Sequence, residues 1–148
     1  MSRKRFEALE CTVADALDQV GDSWSLMLVK EAMQGTRRFV DFQRRLGIAR
    51  NILCERLARL VAADILTKVD AGEHGTRYEY RLTDKGRDLF VVITALRQWS
   101  ERWNGCGDGM VMVDREQGSP VRTLTVQGAD GAALSVRDVG FVPLPEER

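Results

Sequence analysis

The chain holds one histidine, three cysteines and no apolar run approaching the ~20 residues a membrane-spanning helix needs. Each shortage removes a class of function. With His74 alone, a Ser-His-Asp or Cys-His arrangement would hang on one residue in a Gly-flanked loop. Cys11, Cys54 and Cys106 show neither disulfide pairing nor metal-site spacing, so no disulfide framework and no metal are expected. No Gly-rich phosphate loop follows a strand-like segment, because Gly105, Gly107 and Gly109 come after a helical pattern. No cofactor and no enzymatic activity are expected. The opening MSRKRFEALECTVADAL is basic but lacks an apolar core, so it does not read as a secretory leader, and a cytoplasmic location is expected.

Net charge is also lacking, since 22 basic residues balance 22 acidic ones. The distribution is uneven, however. Residues 1–105 hold 18 Lys and Arg against 15 Asp and Glu, whereas residues 106–148 hold 4 against 7. Between Arg37 and Arg59 seven arginines face only Asp41 and Glu55, a local charge of +5. Arginine suits bidentate contact with phosphate and with guanine edges. The 148 residues and 44% apolar content fit one domain with a core and a small appendage.

The basic cluster lies on a recognisable pattern. Phe39, Phe42 and Leu46 are spaced as on a helix, Gly47 can end that helix in the left-handed conformation, and Ile48 can tuck beneath the corner. A second helical pattern begins near Arg50 with Leu53, Leu57, Leu60 and Val61 on its apolar side. Helix, Gly turn and helix outline a helix-turn-helix. The outward part of the second helix would carry Arg50, Asn51, Glu55 and Arg59, residue types that read base edges and phosphates. A solvated helix face is the plainer reading, and the single sign of the charge argues against it.

Upstream, Thr12 to Asp15 has the form of a capping box, and Val13, Ala16, Leu17 and Val20 give an apolar stripe that Gly21 stops. Asp22 or Ser23 then caps a helix with Trp24, Leu26, Leu28, Val29 and Met33 largely buried, ending at Gly35. Downstream, Ile65-Leu66 with Val69, and Tyr78 to Leu82, read as two strands of a hairpin. A hairpin straight after a recognition helix is a wing, with Arg77, Thr76 and His74 near its tip; for His74 a plain exposed loop is the better reading. Thr83 caps a helix from Asp84 to about Asn104, whose stripe includes Leu89, Val92, Ile93, Leu96, Trp99 and Trp103. That stripe is wider than a small core requires, which points to a partner helix from a second copy; the alternative is that the tail folds back over it. Beyond the glycines, 110–113, 121–126 and 133–136 read as short strands, with Gly128 to Gly131 as a turn.

Cys11 directly precedes a helix start, where backbone dipoles favour negative charge, with Arg3, Lys4 and Arg5 nearby in sequence. It is a candidate redox-sensing thiol, against burial as a small packing residue. Cys54 lies on the second helix of the pair, and Cys106 has no assigned role.

Six segments in one order resemble the HxlR family of bacterial transcription regulators: Cys11-x-Val13-x-x-Ala16-Leu17; Val20-Gly21-Asp22-x-Trp24; Gly35-x-Arg37-Arg38-Phe39-x-Asp41-Phe42; Leu46-Gly47-Ile48-x-Arg50-Asn51-x-Leu53; Tyr78-x-Tyr80-x-Leu82-Thr83-x-x-Gly86; and Trp99. The resemblance covers residues 11–105. It implies a winged helix-turn-helix, a homodimer through the terminal helices, and operator binding that represses or activates neighbouring genes. Some family members sense oxidants or electrophiles through the cysteine that Cys11 matches. Ala49 stands where relatives often have Ser, and the tail lacks the paired cysteines of longer relatives.

The expected fold is therefore α+β, mainly α. Residues 1–10 are a lead-in, 11–105 a winged helix-turn-helix with a long dimerisation helix, and 106–148 a small C-terminal β-rich extension. The expected DNA-binding residues are Arg37, Arg38, Arg50, Asn51, Glu55, Arg59 and Arg77. Leu96, Trp99 and Trp103 are expected at a dimer contact, Cys11 as a redox sensor, and an oxidant or a small molecule as the effector. The expected partners are double-stranded DNA and a second copy, with no membrane. The alternatives are a winged-helix protein-interaction module, against which the Arg cluster argues, and a thiol redox enzyme, against which the missing Cys-x-x-Cys counts.

Overall fold

The computed structural model describes residue 6 and residues 9–72, 77–105 and 107–145. Expectations that fall on Arg3, Lys4, Arg5, His74, Thr76 and Cys106 lie outside the described residues. The chain divides into two compact units, Met1–Ile93 and Thr94–Arg148.

The first unit runs α1 (Thr12–Val20), α2 (Ser25–Met33), α3 (Phe39–Leu46), α4 (Arg50–Ala62), β1 (Leu66–Asp70) and β2 (Tyr78–Leu82). It ends with the start of α5 (Asp84–Asn104). The core is Val20, Leu28, Val29, Phe42, Ile48, Leu53, Leu57, Leu60, Ile65 and Leu66. Burying each large aliphatic side chain contributes roughly 1.5–3 kcal/mol. The boundaries have local causes. Asp22 Oδ1 accepts the backbone N–H groups of Trp24 and Ser25, each at 3.0 Å, and so caps α2. Gly47 closes α3 at φ +62°, its N–H donating to the carbonyl of Gln43, and Ile48 is buried at the corner as its spacing predicts. Thr83 accepts the N–H of Gly86 at 3.0 Å and donates to the carbonyl of Asp64 at 2.6 Å, which caps α5 and ties it to the end of α4. β1 and β2 pair antiparallel from Leu66↔Leu82 to Asp70↔Tyr78, forming the wing.

Two points about α1 differ from or add to the sequence pattern. The capping box does not form: Cys11 is the N-cap in an extended conformation, no side chain caps the helix, and Thr12 is already inside the first turn. The second point is an addition: the apolar stripe is covered only in part within the chain. Ala14 and Val20 are buried, whereas Val13 and Leu17 are exposed. Helical spacing reports an apolar face but not whether the same chain covers it.

The second unit holds the rest of α5, then β3 (Val126–Gln127) paired antiparallel with β4 (Ala133–Leu134). The expected strands 110–113, 121–126 and 133–136 shrink to these two short pieces and one bridge between Val113 and Pro120. Alternation is not enough without a surface to pack on, and the apolar side chains of these segments are largely exposed. The turn at Gly128–Gly131 does form, with Gly131 at φ +81°.

Gly86 is buried in the first turn of α5, and a Cβ there would collide with the Ile65 carbonyl. Gly86→Ala is expected to lower stability by about 1–3 kcal/mol through overpacking. Thermal melting followed by circular dichroism reads this directly; an unchanged melting temperature would mean that α5 does not seat on the end of α4 as described.

Candidate nucleic-acid interface

Two contacts gather the outward basic residues. The guanidinium of Arg50, at the first turn of α4, stands 5.3 Å from the ring centroid of Phe39 at the first turn of α3. This cation–π contact brings the two helix starts together, and with them Arg38, the N-cap residue of α3. Second, the N–H of Tyr80 in β2 donates to the carbonyl of Arg37 at 2.7 Å, which ties the wing to the residue ahead of Arg38. Phe42 meets Tyr80 edge-on behind this joint, centroids 6.5 Å apart. Arg37, Arg38, Arg50 and Asn51 are all exposed. Along α4, Asn51, Cys54, Glu55 and Ala58 form the exposed stripe opposite buried Leu53, Leu57 and Leu60.

The seven arginines divide into two groups. Arg44 pairs with Asp41 at 2.7 Å. Arg45 pairs with Glu31 at 2.5 Å, a carboxylate that is itself buried. Arg56 Nε lies 3.2 Å from Asp22 Oδ1, an ion contact without hydrogen-bond geometry, and Arg56 also reaches Glu55 at 3.3 Å. Arg59 is half-buried and donates to the carbonyl of Asp18 at 3.2 Å. These four brace the scaffold. Arg37 and Arg38 make no side-chain hydrogen bond or ion pair among the described residues, and Arg50 makes only its ring contact. Arg59, expected on the outward face with Arg50 and Asn51, is instead drawn back onto the end of α1.

A model of the HxlR-like helix-turn-helix family matches residues 19–107. The chain belongs to that family. The HTH-type transcriptional regulator Rv3095 of Mycobacterium tuberculosis, itself uncharacterized, is 38% identical over 111 residues. That match covers 75% of this chain and 65% of the relative, so the chain spans just under two thirds of that relative's length. Among solved structures, the candidate transcription factor PA1607 superposes with a TM-score of 0.85 at 41% identity, covering 96% of this chain and 99% of its own. The reduced redox regulator HypR superposes with a TM-score of 0.58 at 28% identity, over 62% of this chain and 92% of its own. The fold is the winged helix-turn-helix of the HxlR family.

On the HxlR-type wing the structure adds a residue that sequence reasoning missed. The Lys68 ammonium stands 4.3 Å from the Tyr78 ring centroid and 6.0 Å from that of Tyr80, on the hairpin that also carries exposed Arg77. Its position opposite Tyr80 in the register was available from the strand pattern, but the cross-strand aromatic pairing was not. Cys11 and Cys54 are both exposed free thiols. Leu96, Trp99 and Trp103 are exposed on α5. Among the described residues no cluster of His, Cys, Asp and Glu gathers as for a metal, and no helix is long and apolar enough to cross a membrane.

The buried acids carry a pH signature. Burial alone would raise the Glu31 carboxyl, but hydrogen bonds and charge from Lys30 and Arg45 outweigh it and hold the group below its ordinary 4.5. A carboxylate lowered in the folded state stabilises above its unfolded value, and that contribution disappears as pH falls through the folded one. Glu31→Gln is expected to lower stability at neutral pH by about 1–3 kcal/mol. The gap from wild type should narrow below pH 4.5, the ordinary value. Denaturant titrations across that range check it; a gap independent of pH would remove the ion pair from the account.

Proposed function

We propose that the chain is a sequence-specific, double-stranded-DNA-binding transcriptional regulator that acts as a homodimer in the cytoplasm, and not an enzyme. The observation that carries this reading is that exposed Arg50 and Asn51 open α4 beside Phe39 at the start of α3, which exposed Arg37 and Arg38 directly precede. Their charges are not consumed by acidic neighbours. In this reading α4 enters the major groove by its N-terminal half. Asn51 suits adenine, Arg50 suits guanine or phosphate, and Glu55 can accept from cytosine. Arg37 and Arg38 neutralise backbone phosphate, which positions the helix without reading sequence. Arg77 and Lys68 offer cations on the wing. The matched relatives are HTH-type transcriptional regulators, and the Arg cluster disfavours a protein-interaction module.

Homodimerisation is supported by the exposed stripe Leu96, Trp99 and Trp103, spaced three and four apart on α5. Two-fold symmetry presents two copies of α4 to two half-sites, which compensates for the limited affinity of one short helix.

Charge reversal separates groove residues from scaffold residues. Arg50→Glu should weaken binding to DNA flanking the protein's own gene by about ten- to hundredfold, and should lower stability only by what its exposed contact with the Phe39 ring contributes, roughly 0.5–1 kcal/mol. Arg59→Ala should do the opposite, lowering the melting temperature while leaving DNA affinity near wild type. Fluorescence anisotropy over a salt series reads both, because each phosphate contact adds roughly one unit to the salt slope. Wild-type affinity in Arg50→Glu would remove α4 from the groove, and a flat salt response would favour the protein-interaction module.

One specific observation favours an added thiol response. Cys11 is exposed and sits at the N-cap of α1, and the solved neighbour HypR is a redox regulator. A mild thiol oxidant should then release the operator reversibly in wild type and have no effect on Cys11→Ser. Equal sensitivity in both proteins would pass the role to another thiol, such as exposed Cys54 on the reading stripe.

A further inference from the structure

Arg50 differs from the other two arginines that lack an acidic partner. Arg37 and Arg38 make no side-chain hydrogen bond, ion pair or ring contact among the described residues. Arg50 makes no hydrogen bond or ion pair there either, but its guanidinium stands 5.3 Å from the Phe39 ring centroid. A ring contact consumes no N–H group. The Arg50 fork is therefore restrained in place while its donors are all unspent.

The ring that restrains it is itself anchored. Phe39 opens α3 and packs, partly buried, against the core, while Arg38 and Val40 on either side of it are exposed. No acid competes for the fork. The first turn of α4 holds none, Asp41 in the first turn of α3 is paired with Arg44 at 2.7 Å, and Glu55 is paired with Arg56 at 3.3 Å. These facts separate two kinds of DNA contact. A cation that only neutralises phosphate gains little from being aimed, because the attraction is largely non-directional. A base-edge contact needs the aim. Guanine presents N7 and O6 as two acceptors in the major groove, and a guanidinium must meet both at once. Fixing a rotamer-rich side chain before binding lowers the ordering cost of such a contact.

We propose that Phe39 is a positioning residue for base reading: its ring holds the Arg50 guanidinium for bidentate contact with N7 and O6 of an operator guanine, while Arg37 and Arg38 contact phosphate. This assigns Arg50 to guanine where its charge alone would suit phosphate equally, and it rests on the DNA-binding reading above. Phe39 acts only through Arg50 and touches no base. Its contribution is therefore to discrimination between sequences, not to the electrostatic affinity that any duplex receives.

The test measures fluorescence anisotropy of the full chain on three duplexes: the DNA flanking its own gene, the same DNA with single guanines replaced by 7-deazaguanine, and an unrelated sequence. The modified base keeps its pairing and loses the N7 acceptor. Wild type should bind about tenfold more weakly when one particular guanine is replaced. Arg50→Ala should be insensitive to that replacement. Phe39→Leu should lose about tenfold on the operator and most of its sensitivity to the same guanine, with unrelated-duplex affinity and salt slope as in wild type. Phe39→Tyr keeps the ring and should restore both. Circular dichroism checks that each variant is folded at the assay temperature, and Phe39→Met replaces Phe39→Leu if the latter is not. A Phe39→Leu protein that weakens equally on every duplex would make the ring a structural support only and overturn the proposal. Full sensitivity to the guanine in Phe39→Leu, or in Arg50→Ala, would overturn it as well. So would tighter operator binding by Phe39→Leu, because the ring would then hold Arg50 back from the groove. Wild type that does not distinguish the operator from the unrelated duplex would remove the sequence-reading function itself, and the proposal with it.

Discussion

The left-handed corner at Gly47 is the constraint on which the DNA-facing geometry depends. Its φ of +62° is one that side chains with a Cβ rarely adopt, and no neighbouring atom crowds the position, so the requirement for glycine is conformational. The corner reverses the chain within three residues. Buried Ile48 pins it from below, and α4 begins at Arg50 with Leu53, Leu57 and Leu60 turned to the core. Only at this angle does Arg50 reach the Phe39 ring while Asn51 and Glu55 face outward. A side chain at Gly47 would therefore disturb the interface before it disturbed the core.

Electrostatics then sorts residues that composition treats alike. Glu31 is buried, and a buried carboxylate without a cation is strongly destabilising, so Arg45 is committed to it. Asp22 engages Arg56 for a similar reason while capping α2. The arginines left over are those on exposed backbone ahead of α3 and at the start of α4. Pairing them at the surface would have contributed little to stability. A local charge of +5 is thus partly committed to acids and carbonyls of the scaffold, and Arg37, Arg38 and Arg50 are the part left for the DNA contacts proposed above.

Local signals were legible in the sequence and distant partnerships were not. Gly47, the start of α4 at Arg50, the strand Tyr78–Leu82 and the limits of α5 all follow from periodicity and caps that act within a few residues. Arg59 shows the opposite case. Its acceptor, the carbonyl of Asp18, lies 41 residues away in sequence, and no helical wheel indicates that the side chain turns back. Glu31 and Arg45, 14 residues apart, are hidden in the same way. Val13 and Leu17 mark a third limit, because an amphipathic pattern is identical whether its apolar face meets the same chain or another. The tail strands failed for a related reason: alternation was present at 110–113 and 121–126, but nothing lay beneath it to pack on.

The helix α5 joins these two kinds of information. Its start is fixed by Thr83 and Gly86 against Asp64 and Ile65, the second and third residues after α4, through bonds within one chain. Its later stripe of Leu96, Trp99 and Trp103 finds no such partner. The first turn of α5 is thus held within one chain, while its later turns keep an apolar stripe open. In the homodimer proposed above, that stripe is the surface left open for pairing, and pairing is what would bring two copies of α4 to two half-sites.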